Sequence, residues 1–250
     1  MKGIILQILY ASRRDALFLG TSIFVLMCTA FGCFLGMNAS VEANQAKIVY
    51  TAGMSRIAVI VGFIIFTVFY IKRMFENHEI EFILSHSISR TKVILALFCG
   101  FSVIILMLLI PVFVILLLLK TNITSLLIWI LSLFCEELII LTFTVCCSLI
   151  VKSQVYSLLY GILFYCLGRA IGTFVSYISI STHFSFYDII CSLLKIISIV
   201  IPRLDLFGKT SWLVYNDASI IDISLFLLQT IIFCGIFLCI SIIDFRKKEF

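Results

Sequence analysis

Six apolar runs divide this chain, and each is long enough, or nearly so, to cross a lipid bilayer as a helix. They lie at Leu17–Met37, Ile48–Ile71, Val93–Leu119, Ser125–Val151, Val155–Tyr177 and Ile221–Ile243. The hydrocarbon core of a bilayer takes about 20 helical residues to span. Lipid offers no partner to backbone polar groups, so only helices and closed barrels cross it. Barrel strands alternate apolar and polar residues, whereas runs such as Val93–Leu119 are continuous. Composition agrees: 63% of the 250 residues are hydrophobic and 12% are charged, against roughly half and a quarter in a soluble domain. The expected fold is an all-α integral membrane protein with six transmembrane helices in one domain over residues 1–250.

The placement of Lys and Arg orients the spans, because cytoplasmic loops carry the excess. With the N-terminus inside, the inner positions are Lys2, Arg13, Arg14, Lys72, Arg73, Arg90, Lys92, Lys152, Arg246, Lys247 and Lys248. The outer positions are Lys47, Arg56, Lys120, Lys195, Arg203 and Lys209, and Arg169 falls within a helix. The bias puts both termini in the cytoplasm and requires an even number of spans. A seventh apolar run, Ile189–Ile201, is too short to cross and ends at Pro202, which predicts a re-entrant or interfacial outer segment before the last helix. Residues Met1–Asp15 alternate Ile4, Ile5, Ile8 and Leu9 with Lys2, Gln7, Arg13 and Arg14, the pattern of a helix lying on the membrane surface. The first span is longer than a signal-peptide core and is read as uncleaved.

The net charge of +5 comes without a dense basic cluster interleaved with aromatics, so nucleic acid is not an expected partner. Nine of the ten cysteines fall in apolar runs and behave as small buried hydrophobes. No metal site is expected. Abundant Ile, Phe and Lys fit an AT-rich bacterial genome, and the expected location is a bacterial plasma membrane with lipid as neighbour.

Charges inside a bilayer are costly and mark function or pairing. Glu136 and Glu137 lie near the middle of the fourth run, and Arg169 near the middle of the fifth. Counted from the short turn between those runs, the two levels are nearly equal at about 1.5 Å per residue. An ion pair of Arg169 with one of the two glutamates is therefore expected. Two small-residue pairs, Gly32-x-x-x-Gly36 and Gly168-x-x-x-Gly172, let helix backbones approach closely, either within one subunit or between two.

The segment Lys72–Lys92 between the second and third spans reads as a short amphipathic helix. Glu76, Glu79 and Glu81 sit among Phe75, Ile80, Phe82, Ile83 and Leu84, and a polar stretch to Thr91 follows. An acidic face with an apolar ridge suits docking on a cytoplasmic partner, and it equally suits a plain connection between spans. Glu79, Glu81, Ile83-Leu84-Ser85 and Ile88-Ser89-Arg90 resemble the coupling region of type-2 ABC exporter permeases, although Ser87 stands where that family often has proline. Ile201-Pro202-Arg203-Leu204-Asp205-Leu206-Phe207 with Trp212, and the tail from Asp244 to Phe250, are similar to the same family.

The resemblance implies a permease subunit acting as a dimer, with itself or with a related chain, and driven by a separate cytoplasmic ATPase that holds the ATP and Mg. This chain would bind no cofactor and catalyse nothing. The coupling residues would be Glu76, Glu79, Glu81, Phe82, Leu84, Ser89 and Arg90, and Gly32, Gly36, Gly168 and Gly172 would form the subunit seam.

Gly208-Lys209-Thr210 is not a phosphate loop, because Arg203 stands where that motif needs glycine. Glu136-Glu137 also raises an intramembrane protease of the CAAX-processing type. That class continues Glu-Glu with an arginine, where this chain has Leu141, and needs later histidines, of which His183 alone follows. A structural membrane protein with no transport role is the remaining alternative.

Overall fold

The computed structural model describes residues 2–38, 42–85, 89–151, 153–178 and 201–247, and among these it is built of helices without strands. In chain order they are α1 (Lys2–Arg14), α2 (Ala16–Met37), α3 (Ala43–Glu76), α4 (Glu79–Ser85), α5 (Arg90–Leu118), α6 (Ile123–Ile150) and α7 (Gln154–Ile178). A 3₁₀ turn at Leu204–Leu206 and α8 (Ser211–Tyr215) then lead into α9 (Ile220–Lys247). Six of them, α2, α3, α5, α6, α7 and α9, are long and apolar enough to span a membrane. Each matches one apolar run. The main difference is α3, which starts five residues before Ile48 and ends five residues after Ile71. Its 34 residues make it about 51 Å long, more than the roughly 30 Å hydrocarbon core. Periodicity carries a helix past the lipid boundary where an apolar run cannot. The run Ile189–Ile201 lies outside the described residues except for Ile201.

The long helix α3 is the axis of the bundle. About 72% of its most apolar window is buried inside the protein, against 22% for α2 and 28% for α9. Phe63, Phe66 and Tyr70 on α3 meet Phe101 of α5 edge to face at 5.4–6.3 Å, and Phe18 of α2 meets Phe66 at 6.0 Å. Such aromatic contacts add roughly 0.5–1.5 kcal/mol each beyond area burial.

The packing of α2 on α3 explains its small residues. Thr21, Val25, Thr29, Gly32 and Gly36 form one buried stripe at helical spacing. The threonine hydroxyls satisfy themselves on their own helix, at Phe18 O (2.9 Å) and at Val25 O and Leu26 O (3.0 and 2.8 Å). A Cβ on Gly32 would stand 2.8 Å from Tyr50 O, and one on Gly36 would collide with the backbone of Lys47. Of the two alternatives for this pair, the structure supports packing within one subunit. Both glycines are occupied within the chain by α3. The opposite face of α2 exposes Ile23, Met27, Phe31 and Phe34, as a lipid-facing surface would.

Contacts gather one set of helix ends. Asp15 caps α2 by accepting from Leu17 N (3.1 Å) and pairs with Arg73 at the end of α3. Gln154 Nε2 donates to Glu76 (3.2 Å), Lys72 donates to Val151 O, and Arg90 donates to Phe245 O and Arg246 O at 3.2 and 3.0 Å. The amphipathic α1 buries Ile4 and Ile8, with Ile8 seated over Gly100 of α5.

Two outcomes are expected. Gly36→Leu should lower stability by about 1–3 kcal/mol through overpacking. Gly20→Leu, whose Cβ meets nothing within 4 Å, should stay within about 0.5 kcal/mol. Thermal unfolding of both variants in micelles checks this, and equal melting temperatures would refute the packing. Burial pushes the Asp15 carboxyl up, but the Arg73 hydrogen bond, the Leu17 amide and the Arg73 charge outweigh it, so its pKa falls below the ordinary value. Its contribution is complete above the ordinary carboxylate range and disappears as the pH drops through the lowered pKa. The stability gap between wild type and Asp15→Asn should therefore close on acidification below about pH 4.

Candidate functional site

Glu136 and Glu137 sit on the buried face of α6, and neither has any exposed surface. Glu136 is held by Arg56 of α3: Nη2 donates to Oε1 at 2.5 Å, and both side chains are almost wholly buried. This corrects two expectations. Arg56 belongs inside the bundle and not to an outer loop, since it follows eight residues after Ile48 in an apolar run. The partner of Glu136 is Arg56 and not Arg169.

Arg169 does reach the same level, where Nη1 donates to Leu204 O at 2.7 Å and to Phe207 O at 3.3 Å. Arg56 Nη2 also donates to Leu204 O (3.2 Å), and its Nη1 donates to Gly208 O (3.1 Å). The two arginines thus grip one stretch, Leu204–Gly208, from α3 and α7. The depth argument found the right level and the wrong azimuth. Arg56 is fifteen residues from Ile71, as Glu136 is from Val151, so the same count would have found it.

The local sequence of that stretch fits the grip. Gly208 has a positive φ of 52°, and a Cβ there would stand 3.0 Å from Arg56 Nη1. Its N–H donates to Ser132 Oγ of α6 (2.9 Å). On α7, a Cβ at Gly168 would lie 2.8 Å from Leu204, and one at Gly172 would collide with Asp205. Gly168 and Gly172 therefore seat the 201–208 segment instead of lining a subunit seam. Asp205 is held in turn by Arg203 at 3.0 Å. Arg56 Nε, Glu136 Oε2 and both carboxylate oxygens of Glu137 have no hydrogen-bond partner among the described residues.

Between α3, α7 and the gripped segment lies a cavity of about 450 Å³. Arg56, Arg169, Lys209 and Asp205 line it with Gly53 and Ile57. Among the described residues no three His, Cys, Asp or Glu side chains gather as metal ligands. The nine described cysteines are unpaired.

The coupling candidates lie at the other end. Ile80 and Ile83 of α4 are buried, while Phe82 is 67% exposed. Glu76 is exposed and Glu79 half-buried, Ser89 precedes α5, and Arg90 ties α5 to the end of α9. The side chains of Glu81 and Leu84 lie outside what is described.

No family model matches this chain, and comparison with curated proteins finds no match.

Removing one member of a buried ion pair costs about 3–5 kcal/mol. Arg56→Leu should cost that much, and the Arg56→Leu/Glu136→Leu double variant less than the sum of the singles. In a double-mutant cycle read by thermal unfolding, the coupling of residues 56 and 136 should reach about 1–3 kcal/mol and exceed that of residues 169 and 136. The reverse order would restore the Arg169 pairing.

Proposed function

We propose that this chain is the membrane-spanning permease subunit of an ATP-driven exporter of the type-2 ABC kind, in a bacterial plasma membrane. One observation carries the reading. A seven-residue helix, α4, joins the second and third spans, anchors itself by Ile80 and Ile83, and turns Phe82 outward. It sits at the bundle end that also gathers Arg13, Arg14, Arg73, Arg90 and Arg246, which the distribution of positive charge assigns to the cytoplasm.

An exposed aromatic between anchored apolar residues suits a groove on a soluble ATPase. ATP and Mg then belong to that partner. Closure of the ATPase pushes on α4, and the push passes to α3 and α5, which flank it in the chain. A second copy of this chain, or a related permease, completes the path, and the substrate moves outward without covalent change in this chain.

Affinity purification of the tagged chain from its own cells, with nucleotide hydrolysis and mass spectrometry as readouts, tests the reading. Wild type should retain an ATPase. Phe82→Asp and the Glu79→Lys/Glu81→Lys pair should lose most of it while remaining folded. A wild-type preparation with no ATPase sinks the proposal.

A further inference from the structure

We infer that the cavity between α3, α7 and the Leu204–Gly208 segment binds the phosphate group of an anionic amphiphile. The sign of the lining comes first. Arg56, Arg169 and Lys209 face the cavity, and among the described residues Asp205 is the single acid on its wall. Asp205 is already engaged by Arg203, and Lys209 by Asp222 at 3.0 Å. Glu136 and Glu137 are not among the lining residues, and Arg56 lies between the cavity and Glu136. Arg169 is different. It is half-buried, its Nη1 is taken up by two carbonyls, and among the described residues no carboxylate lies within 4 Å of it. A guanidinium presents a planar fork that matches two phosphate oxygens, and in a region poor in water that match is strong.

The depth and shape select an amphiphile. Arg56 lies fifteen residues from Ile71 and eight from Ile48, the two ends of its apolar run. It therefore lies in the half of its apolar run toward the far membrane face. From the arginines the cavity runs past Gly53 and Thr173, about one turn nearer the far membrane face, to Thr210 and Ser211. Ile57, beside Arg56, is 51% exposed. A headgroup can enter from the Thr210 and Ser211 end and reach Arg169 while its chain lies along Ile57. The inference does not depend on the permease reading, since it concerns binding in the absence of any ATPase.

The test uses the full-length chain in nanodiscs with equal amounts of phosphatidylglycerol and the phosphate-free digalactosyldiacylglycerol, released gently and weighed by native mass spectrometry. Wild type should keep phosphatidylglycerol with roughly tenfold preference, the worth of about one good charge-assisted contact. Arg169→Gln removes the charge and should abolish the preference. Gly53→Phe should abolish it too, by obstruction. A Cβ at Gly53 meets nothing within 4 Å, so this variant leaves both arginine grips intact and decides the matter if Arg169→Gln fails to fold. Preference unmoved by millimolar inorganic phosphate assigns the site to a lipid phosphate. Displacement by inorganic phosphate supports the same anion site with the free ion as its ligand. Equal retention of the two lipids without any effect of phosphate, or a preference that survives in Gly53→Phe, overturns the inference.

Discussion

A charge that enters the bilayer must bring its compensation along, and the arrangement of this bundle around its middle follows from that requirement. Arg56 and Glu136 join the two most buried helices, α3 and α6, at 2.5 Å. One carboxylate oxygen does not saturate a guanidinium. The remaining donors of Arg56 reach the carbonyls of Leu204 and Gly208. Gly208 leaves the turn with a positive φ, which frees its carbonyl, while the Leu204 carbonyl closes the 3₁₀ turn by accepting from Phe207 N and still has a lone pair for the arginines. Irregular backbone at membrane depth is tolerated where it is buried in protein. Here arginines and irregular backbone satisfy each other, and the 201–208 segment is held in place by that exchange.

Glycine is used on both sides of the bundle to the same end. On α2 it brings α3 close, and on α7 it brings Leu204 and Asp205 close. In lipid there is little hydrophobic drive between helices, so close backbone approach and packing supply the association. The small residues sit where contact is made within the subunit. The large apolar residues of α2, α7 and α9 stay exposed, as lipid-facing surfaces would.

The two ends of the bundle have different characters. One gathers α1, α4, the positive ends of α3 and α9 and the exposed Phe82. The other holds the cavity above the arginines, with cations toward the opening and carboxylates behind or already paired. Between them α3 runs the full length and carries Arg56, so one helix joins the α4 end to the level of the arginines.

The helices were legible because a bilayer demands long apolar runs, and six such runs stand in the sequence, with Ile189–Ile201 too short to be a seventh. Depth was legible too, since the rise per residue is constant: Glu136, Arg169 and, by the same count, Arg56 share one level. The azimuth was not legible. Three helices carrying charges at one depth allow several pairings, and rotation about each axis is set by packing that residue spacing does not encode. Gly32 and Gly36 show the same limit, for small-xxx-small spacing states that a close neighbour exists without saying which. Tertiary structure decided that Arg56 faces α6, that Arg169 faces the Leu204–Phe207 carbonyls, and that the glycines serve the chain's own segments.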